Sequence, residues 1–371
     1  MIQILDQFSN PDLSRKLLDK VKNLAETFIE KHGRKPVIME VCGSHTMALA
    51  RSGIKQALRD YVKLVSGPGC PVCVTDQKSI DAMIQLAQGD GRIICTFGDM
   101  IRVPGSNGSL LDAKSEGKDI RVVYSPSDSV RIAEKNPDKE VIFLGIGFET
   151  TIPSLGIALK EANEKGLEKY SMWVTTKLVE PILRVLLEAQ EVKLDGFLLP
   201  GHVSIVLGKH SYHYLVDEYG VPGTICGFEP VGVLGGIYKL IAMLLDERVE
   251  IENYHTHVVT HSGNSFAQEI MKTYFKECDE WWRGLGVIPN SGLDIRKEFA
   301  HLDAKKKFNV HVGEPRKTKC RCGDILRGLA VPEDCVLYGK ACTPSKPIGP
   351  CMVSSEGTCA AHYQYMRGDI I

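Results

Sequence analysis

The sequence predicts an α/β fold, with two similar parallel-sheet domains around a central cleft and a third, cysteine-rich domain at the C-terminal end. Three observations carry this. Short apolar runs alternate with helix-period runs through most of the chain, which is the pattern of parallel sheets covered on both faces. Most of the strand candidates lead directly into a polar or glycine-rich turn. The rhythm stops near residue 285, and six of the twelve cysteines lie beyond it, between Cys320 and Cys359.

The elements follow in order. Asn10-Pro11 offers a capping side chain followed by proline at the first helical position. Over residues 12–32 the residues Leu13, Leu17, Leu18, Val21, Leu24 and Phe28 form one apolar stripe that Gly33 ends. Strands are expected at 37–41, 62–65, 92–96, 122–124, 141–145, 172–175, 196–199 and 257–260. Helices are expected at 77–88, 127–135, 153–164, 180–189, 231–246 and 264–277. The resulting division is an N-terminal helix (1–35), a first α/β domain (36–135), a second (136–285) and the cysteine-rich domain (286–371).

Composition bounds the function. The 371 residues suffice for two or three domains, and 43% hydrophobic with 25% charged residues is ordinary for a globular chain. The formal net charge of −1, with acids and bases interspersed, provides no basic field for nucleic acid. The N-terminal residues lack the pattern of a secretion signal. The most apolar stretch, 230–245, is interrupted by Lys239 and is too short to cross a bilayer. A cytoplasmic location without a membrane partner is therefore expected. There thiols stay reduced, and twelve cysteines favour metal ligation or redox work over structural bridges.

The turns after the strands concentrate chemistry: CGSHT (42–46), GPGCPVC (67–73), FGD (97–99), GFETT (147–151), PGHVS (200–204) and GFEP (227–230). Ligands of α/β sheets bind beyond the carboxyl ends of the strands, so these loops are expected to meet at one cleft. Cys42 stands at a strand end with His45 three residues on. A helix starting near Ser44 would favour the Cys42 thiolate, and the pair suits metal binding or mutual activation as well as a plain capping turn. Cys70 and Cys73 form a CxxC at a strand-to-helix turn, the spacing of a redox-active pair, although half a zinc site has the same spacing. His202 suits orienting a ligand or shuttling a proton but equally satisfying backbone carbonyls, and Glu149 and Glu229, each in a Gly-Phe-Glu turn, suit metal binding or accepting hydrogen bonds at a cleft as well as ordinary surface placement. His210, His213, His255, His257, His261 and His301 lack a ligand-like context and are read as structural.

In the C-terminal segment Cys320, Cys335, Cys342 and Cys359 provide four thiolates, the requirement of a [4Fe-4S] cluster, with zinc as the competing metal. Cys322 and Cys351 are then left over. These spare thiols and the upstream CPVC favour a redox-active centre.

Taken together, CGSHT (42–46), GPGCPVC (67–73), TFGDMIRVPG (96–105), GFETT (147–151), LPGHVS (199–204), CGFEP (226–230) and CTPSKPIGPCMVSSEGTCAA (342–361) resemble the motifs of the HypD family of [NiFe]-hydrogenase maturation factors, in the family's order and over nearly the whole chain. The resemblance implies two α/β domains and a [4Fe-4S] domain similar to ferredoxin–thioredoxin reductase, with the N-terminal helix packed on that domain. It implies Cys320, Cys335, Cys342 and Cys359 as cluster ligands, Cys322 with Cys351 as a thiol pair beside the cluster, and Cys70 with Cys73 as a pair at the cleft. Cys42, near His45, would hold the iron of an Fe(CN)2CO group. The small chaperone HypC and the cyanide donor HypE are the implied partners. His45 would tune the iron or donate a proton, with Glu149 and His202 lining the pocket. Two other readings remain at this point: a cluster-dependent reductase of protein disulfides, which could dispense with Cys42, and a zinc-stabilised binding module.

Overall fold

The computed structural model describes residues 10–366, so residues 1–9 of the expected N-terminal segment lie outside the described residues. Helix α1 (Pro11–His32) forms as its caps dictate. The Asn10 side chain accepts from the Asp12 and Leu13 amides at 2.9 and 3.1 Å, and Gly33, at φ 66°, closes the last turn.

Two parallel sheets form the body. The first has the order β2-β1-β7-β8-β9, from β1 (Val37–Glu40), β2 (Lys63–Ser66), β7 (Gly196–Pro200), β8 (Gly223–Cys226) and β9 (Ile251–Asn253). The second has the order β4-β3-β5-β6, from β3 (Arg92–Thr96), β4 (Asp119–Val122), β5 (Glu140–Gly147) and β6 (Tyr170–Thr176). Every ladder in both sheets is parallel, with Ile38 opposite Leu64 and Gly196, and Ile94 opposite Ile142.

The expected boundary at 135/136 does not match the sheets, because it falls between β4 and β5, which belong to the same sheet. The chain lays down β1 and β2, leaves to build the whole second sheet, and returns at β7 to complete the first. A crossover that joins two sheets reads locally like one that stays in a single sheet, so the sequence does not reveal the exchange. The N-terminal helix was also misplaced. Val21, Ala25 and Phe28 of α1 pack with Leu234, Ile237 and Ile241 of α4, where α2 is Gly43–Arg51, α3 is Pro71–Val74 and α4 is Pro230–Leu245. That packing is on the first sheet's outer layer rather than on the cysteine-rich segment.

Two further corrections concern residues 250–310. The strand expected at 257–260 lies earlier, as the short β9. The helix expected over 264–277 ends at Tyr274, and the chain turns into an antiparallel hairpin, β10 (Phe275–Trp282) with β11 (Gly286–Ile295). Phe275, Leu293, Ile295 and Leu302 enter the core of the second sheet, so the C-terminal segment begins well after residue 286. That segment contains the short helices α5 (Cys322–Leu326) and α6 (Thr358–Tyr365), with one-turn 3-10 helices between them.

Beneath the site, the wholly buried Glu40 ends β1. It accepts from Lys55 at 2.8 Å and from Ser66 at 2.8 Å. Lys55→Ala leaves that carboxylate without its cation, and the expected loss of stability is about 3–5 kcal/mol, read from the urea midpoint. Replacing both partners with apolar residues is expected to cost much less.

Candidate functional site

In the first sheet the four neighbouring strands β2, β1, β7 and β8 all point the same way, so their carboxyl ends line up on one edge. The turns leaving that edge carry, in spatial order, Cys70, Cys42, His202 and Phe228. The topology thus places side by side residues that lie up to about 190 positions apart.

Glycine permits the closeness. A Cβ on Gly69 would overlap the carbonyl oxygen of Val41, and one on Gly43 would come within 2.8 Å of Glu356 and 3.4 Å of the Cys70 side chain. The CGSH turn, the GPGC turn and the SSEG turn of the C-terminal segment therefore meet backbone to backbone. Ser44 Oγ donates to Glu356 Oε1 at 2.6 Å, and α6 packs along α2.

Cys42 is the N-cap of α2 and is partly buried. The sequence suggested a thiol favoured as thiolate by the helix start. Instead, burial, and then the nearby Glu356 carboxylate, push it up to about 11, outweighing the amides of Ser44 and His45. The free thiol is neutral, and a bound cation would reverse that balance. His45 is wholly buried, and burial lowers it to about 4, so the ring is neutral near pH 7. Its Nε2–H donates to the Gly227 and Cys226 carbonyls at 3.1 and 3.3 Å. This fixes the tautomer and leaves Nδ1 as a buried acceptor with no hydrogen-bond partner among the described residues. The Cys226 thiol lies 3.4 Å from Nε2 and is itself held protonated by burial. Phe228 stands between the rings of His45 and His202, with centroids at 4.7 and 4.5 Å.

Cys70 and Cys73 are joined as a buried disulfide with their Cα atoms 5.2 Å apart, and the Cys73 amide donates to Cys70 Sγ at 3.2 Å. Both α5 and the 3-10 turn Pro350–Met352 pack on α3. This brings up the second pair: the buried Cys322 and Cys351 sulfurs are 2.8 Å apart, and Cys322 Sγ is 3.9 Å from the Cys73 carbonyl. Their mutual hydrogen bond splits the pair, lowering Cys322 and raising Cys351. From the opposite side Arg283, in the β10–β11 turn, ties down the end of α3 by donating from its amide to Val74 O at 2.8 Å and from Nε to Thr75 O at 2.9 Å.

Cys320, Cys335, Cys342 and Cys359 surround one small cavity that Cys322, Cys351, Ile325, Leu337 and Met352 also line, with no charged side chain among its described lining residues. Burial raises the Cys320 thiol, with Cys322, Cys335 and Cys359 adding to it. Burial also raises Cys342, with Cys359 and Cys335 adding to it. Among the described residues, no three or more His, Cys, Asp or Glu side chains converge closely enough to hold a single metal ion.

Glu149 stands apart from the Cys42 turn. Its Oε1 accepts from the Val179 amide at 2.8 Å, and its Oε2 is buried without a hydrogen-bond partner among the described residues. It lines a separate cleft with Tyr212, whose hydroxyl is held protonated by burial and, further, by both Glu149 and Cys42. Two site residues, Cys226 and Glu356, escaped the sequence reading. Each sits inside a motif that was noticed, but their roles depend on contacts 181 and 312 residues away along the chain.

These arrangements define a class: an α/β protein that gathers a disulfide, a second close cysteine pair and a half-buried cysteine near one sheet edge, and that contains no described helix long and apolar enough to cross a membrane. A family model described as HypD, hydrogenase formation hypA family, matches residues 12–366. The chain is 41% identical to hydrogenase maturation factor HypD2 of Bradyrhizobium diazoefficiens, over 98% of this chain and 96% of that protein. It is 40% identical to HypD of Cupriavidus necator (99% and 98%) and 38% identical to HypD of Escherichia coli (99% of both). The chain belongs to the HypD family of hydrogenase maturation factors.

Burial raises Glu149 from its ordinary value of 4.5 to about 7, against the opposing Val179 amide. Between these values the folded state binds the extra proton, so stability falls as pH rises through the window and levels off above it. The full effect is on the order of 3 kcal/mol. Glu149→Gln is expected to flatten that slope when denaturation midpoints are compared from pH 4 to 8.

Proposed function

We propose that the chain is the redox-active scaffold on which the Fe(CN)2CO group of [NiFe] hydrogenases is assembled, with HypC as the partner chaperone and HypE as the cyanide donor. The observation that carries this reading is the neighbourhood of the cysteines: Cys322 and Cys351 line the four-cysteine cavity, Cys322 Sγ lies 3.9 Å from the Cys73 carbonyl, and the Cys70 side chain borders the Cys42 turn.

The donor set of the cavity fits a [4Fe-4S] cluster. Four thiols line one space with no charged side chain among its described lining residues, and four thiolates are what a [4Fe-4S] cluster requires. Cys320, Cys335, Cys342 and Cys359 would hold it. When bound, the cluster supplies electrons one at a time to the neighbouring thiol pair.

The protein's own side chains account for the rest. Cys322, the more acidic of its pair, attacks Cys73 Sγ. The Cys70–Cys73 bond breaks and a Cys322–Cys73 bond forms, with Cys70 leaving as thiolate. Cys351, deprotonated, then attacks Cys322 and releases Cys73. Two electrons pass to the CPVC pair, which takes up two protons as it becomes a dithiol. That dithiol lies against the Cys42 turn. There the Cys42 thiolate would hold the iron as cargo, the unpartnered His45 Nδ1 would be the nearest further donor of that turn, and HypC would add its own cysteine. Soft thiolate ligands suit an iron carrying cyanide and carbonyl. A neutral His45 would act as a ligand or an orienting group rather than as a proton donor, with Phe228 packed between its ring and that of His202.

The test is infrared spectroscopy with iron analysis on anaerobically purified protein in complex with HypC. Cys42→Ala is expected to abolish the cyanide and carbonyl bands. His45→Ala is expected to shift or weaken them. Bands and iron content unchanged in Cys42→Ala contradict the assignment.

A further inference from the structure

A second group of metal-binding side chains lies outside the thiol line. His210 sits in the 3-10 turn Lys209–Tyr212, His213 begins the helix His213–Asp217, and His261 follows β9. The fold brings them together on one patch, with ring centroids 5.3 Å apart for His210–His213, 5.5 Å for His210–His261 and 6.0 Å for His213–His261.

The backbone beneath the patch is fixed. The Lys209 amide donates to Thr260 O at 3.1 Å and the His210 amide to His261 O at 3.0 Å, so the two segments run as a short paired ribbon. Gly208 (φ 85°) and Gly263 (φ 74°) stand back to back beside it, and a Cβ on either would overlap the other segment's backbone. Ser211 Oγ closes the turn by donating to Gly208 O at 2.8 Å. The approach of the three imidazoles is therefore set by main-chain structure.

Three imidazoles on one tetrahedral ion, with metal–nitrogen bonds of about 2.0–2.1 Å, place their ring centres about 5 Å apart. The observed spacings lie at or just above that value. The rings have no hydrogen bond or ion pair to another side chain among the described residues, so their nitrogens are not engaged by other side chains. As they stand, the ring nitrogens do not converge on one point. Rotation about χ2, a broad and soft torsion for histidine, is the motion that would bring them together. His210 and His261 are exposed, and His213 is partly so, which leaves that rotation free.

We propose that His210, His213 and His261 form a surface site for one divalent first-row transition ion, held by three imidazole nitrogens with its remaining positions open to water or to an incoming ligand. The donors are neutral nitrogens of intermediate softness, matched to zinc, nickel, cobalt or ferrous iron rather than to magnesium or calcium. The site is separate from the cysteine sites and stands whether or not those carry the function proposed above.

The experiment is an anaerobic titration of the whole protein, as isolated with its cysteine sites loaded, using cobalt(II) as the probe. The wild type is expected to take up one equivalent with a d–d spectrum free of thiolate charge transfer. His213→Gln and His261→Gln are each expected to weaken uptake at least tenfold, and the double variant to abolish it. Circular dichroism without cobalt establishes that the variants fold. If a variant does not fold, paramagnetic broadening of the His210, His213 and His261 ring signals in the wild-type spectrum decides instead. Equal uptake by wild type and folded double variant, a charge-transfer band on the added ion, or three unbroadened ring signals would overturn the site.

Discussion

The meeting of three main-chain turns around Cys42 is the constraint on which the rest of the structure depends. Val41 to Ser44, Gly67 to Cys70 and Ser354 to Gly357 approach so closely that side chains at Gly43 or Gly69 have no room. Each turn brings one chemical component: the Cys42 thiol, the Cys70–Cys73 disulfide, and a segment that places Glu356 on one side and the Cys322–Cys351 pair on the other. Parallel strand order provides the first two, because adjacent β1 and β2 end at the same edge. The third comes from a segment with little regular structure, whose position follows from packing α5 and the Pro350–Met352 turn on α3 and α6 on α2.

Burial is the second theme. Cys42, Cys226 and His45 are each driven toward their neutral forms by burial, with the carboxylates Glu356, Glu229 and Glu40 close by. Such a site stores the desolvation cost in advance and gives a soft cation a dry setting once it binds. The disulfide Cys70–Cys73 is also buried, which shields it from external thiols and leaves Cys322 as a nearby attacking group built into the chain. A reductase acting on other proteins would need its CxxC more open than this.

Local signals in the sequence were read well. Asn10-Pro11 and Gly33 bound the first helix, and the turns after β1, β2, β7 and β8 meet at one sheet edge, whereas the GFETT turn leaves the other sheet and lines a separate cleft. Non-local pairing was not legible. Nothing local shows that β2 is followed by another sheet before β7 pairs with β1, and the helix-like run near 264–277 hides the start of a hairpin. Motif residues were legible as chemistry but not as partners. Cys226 matters because it underlies His45, and Glu356 because it reaches Ser44. His210 and His213 looked structural because the third ring, His261, lies almost fifty residues away in sequence and is brought in only by a backbone ribbon.

The central claim is that Cys322 passes reducing equivalents to the CPVC disulfide, and trapping the exchange tests it most directly. In a Cys351→Ser variant the resolving thiol is missing. After anaerobic isolation without added reductant and rapid alkylation, peptide mass spectrometry is expected to find Cys322 bonded to Cys73, with Cys70 alkylated. An intact Cys70–Cys73 bond with Cys322 alkylated would contradict the account.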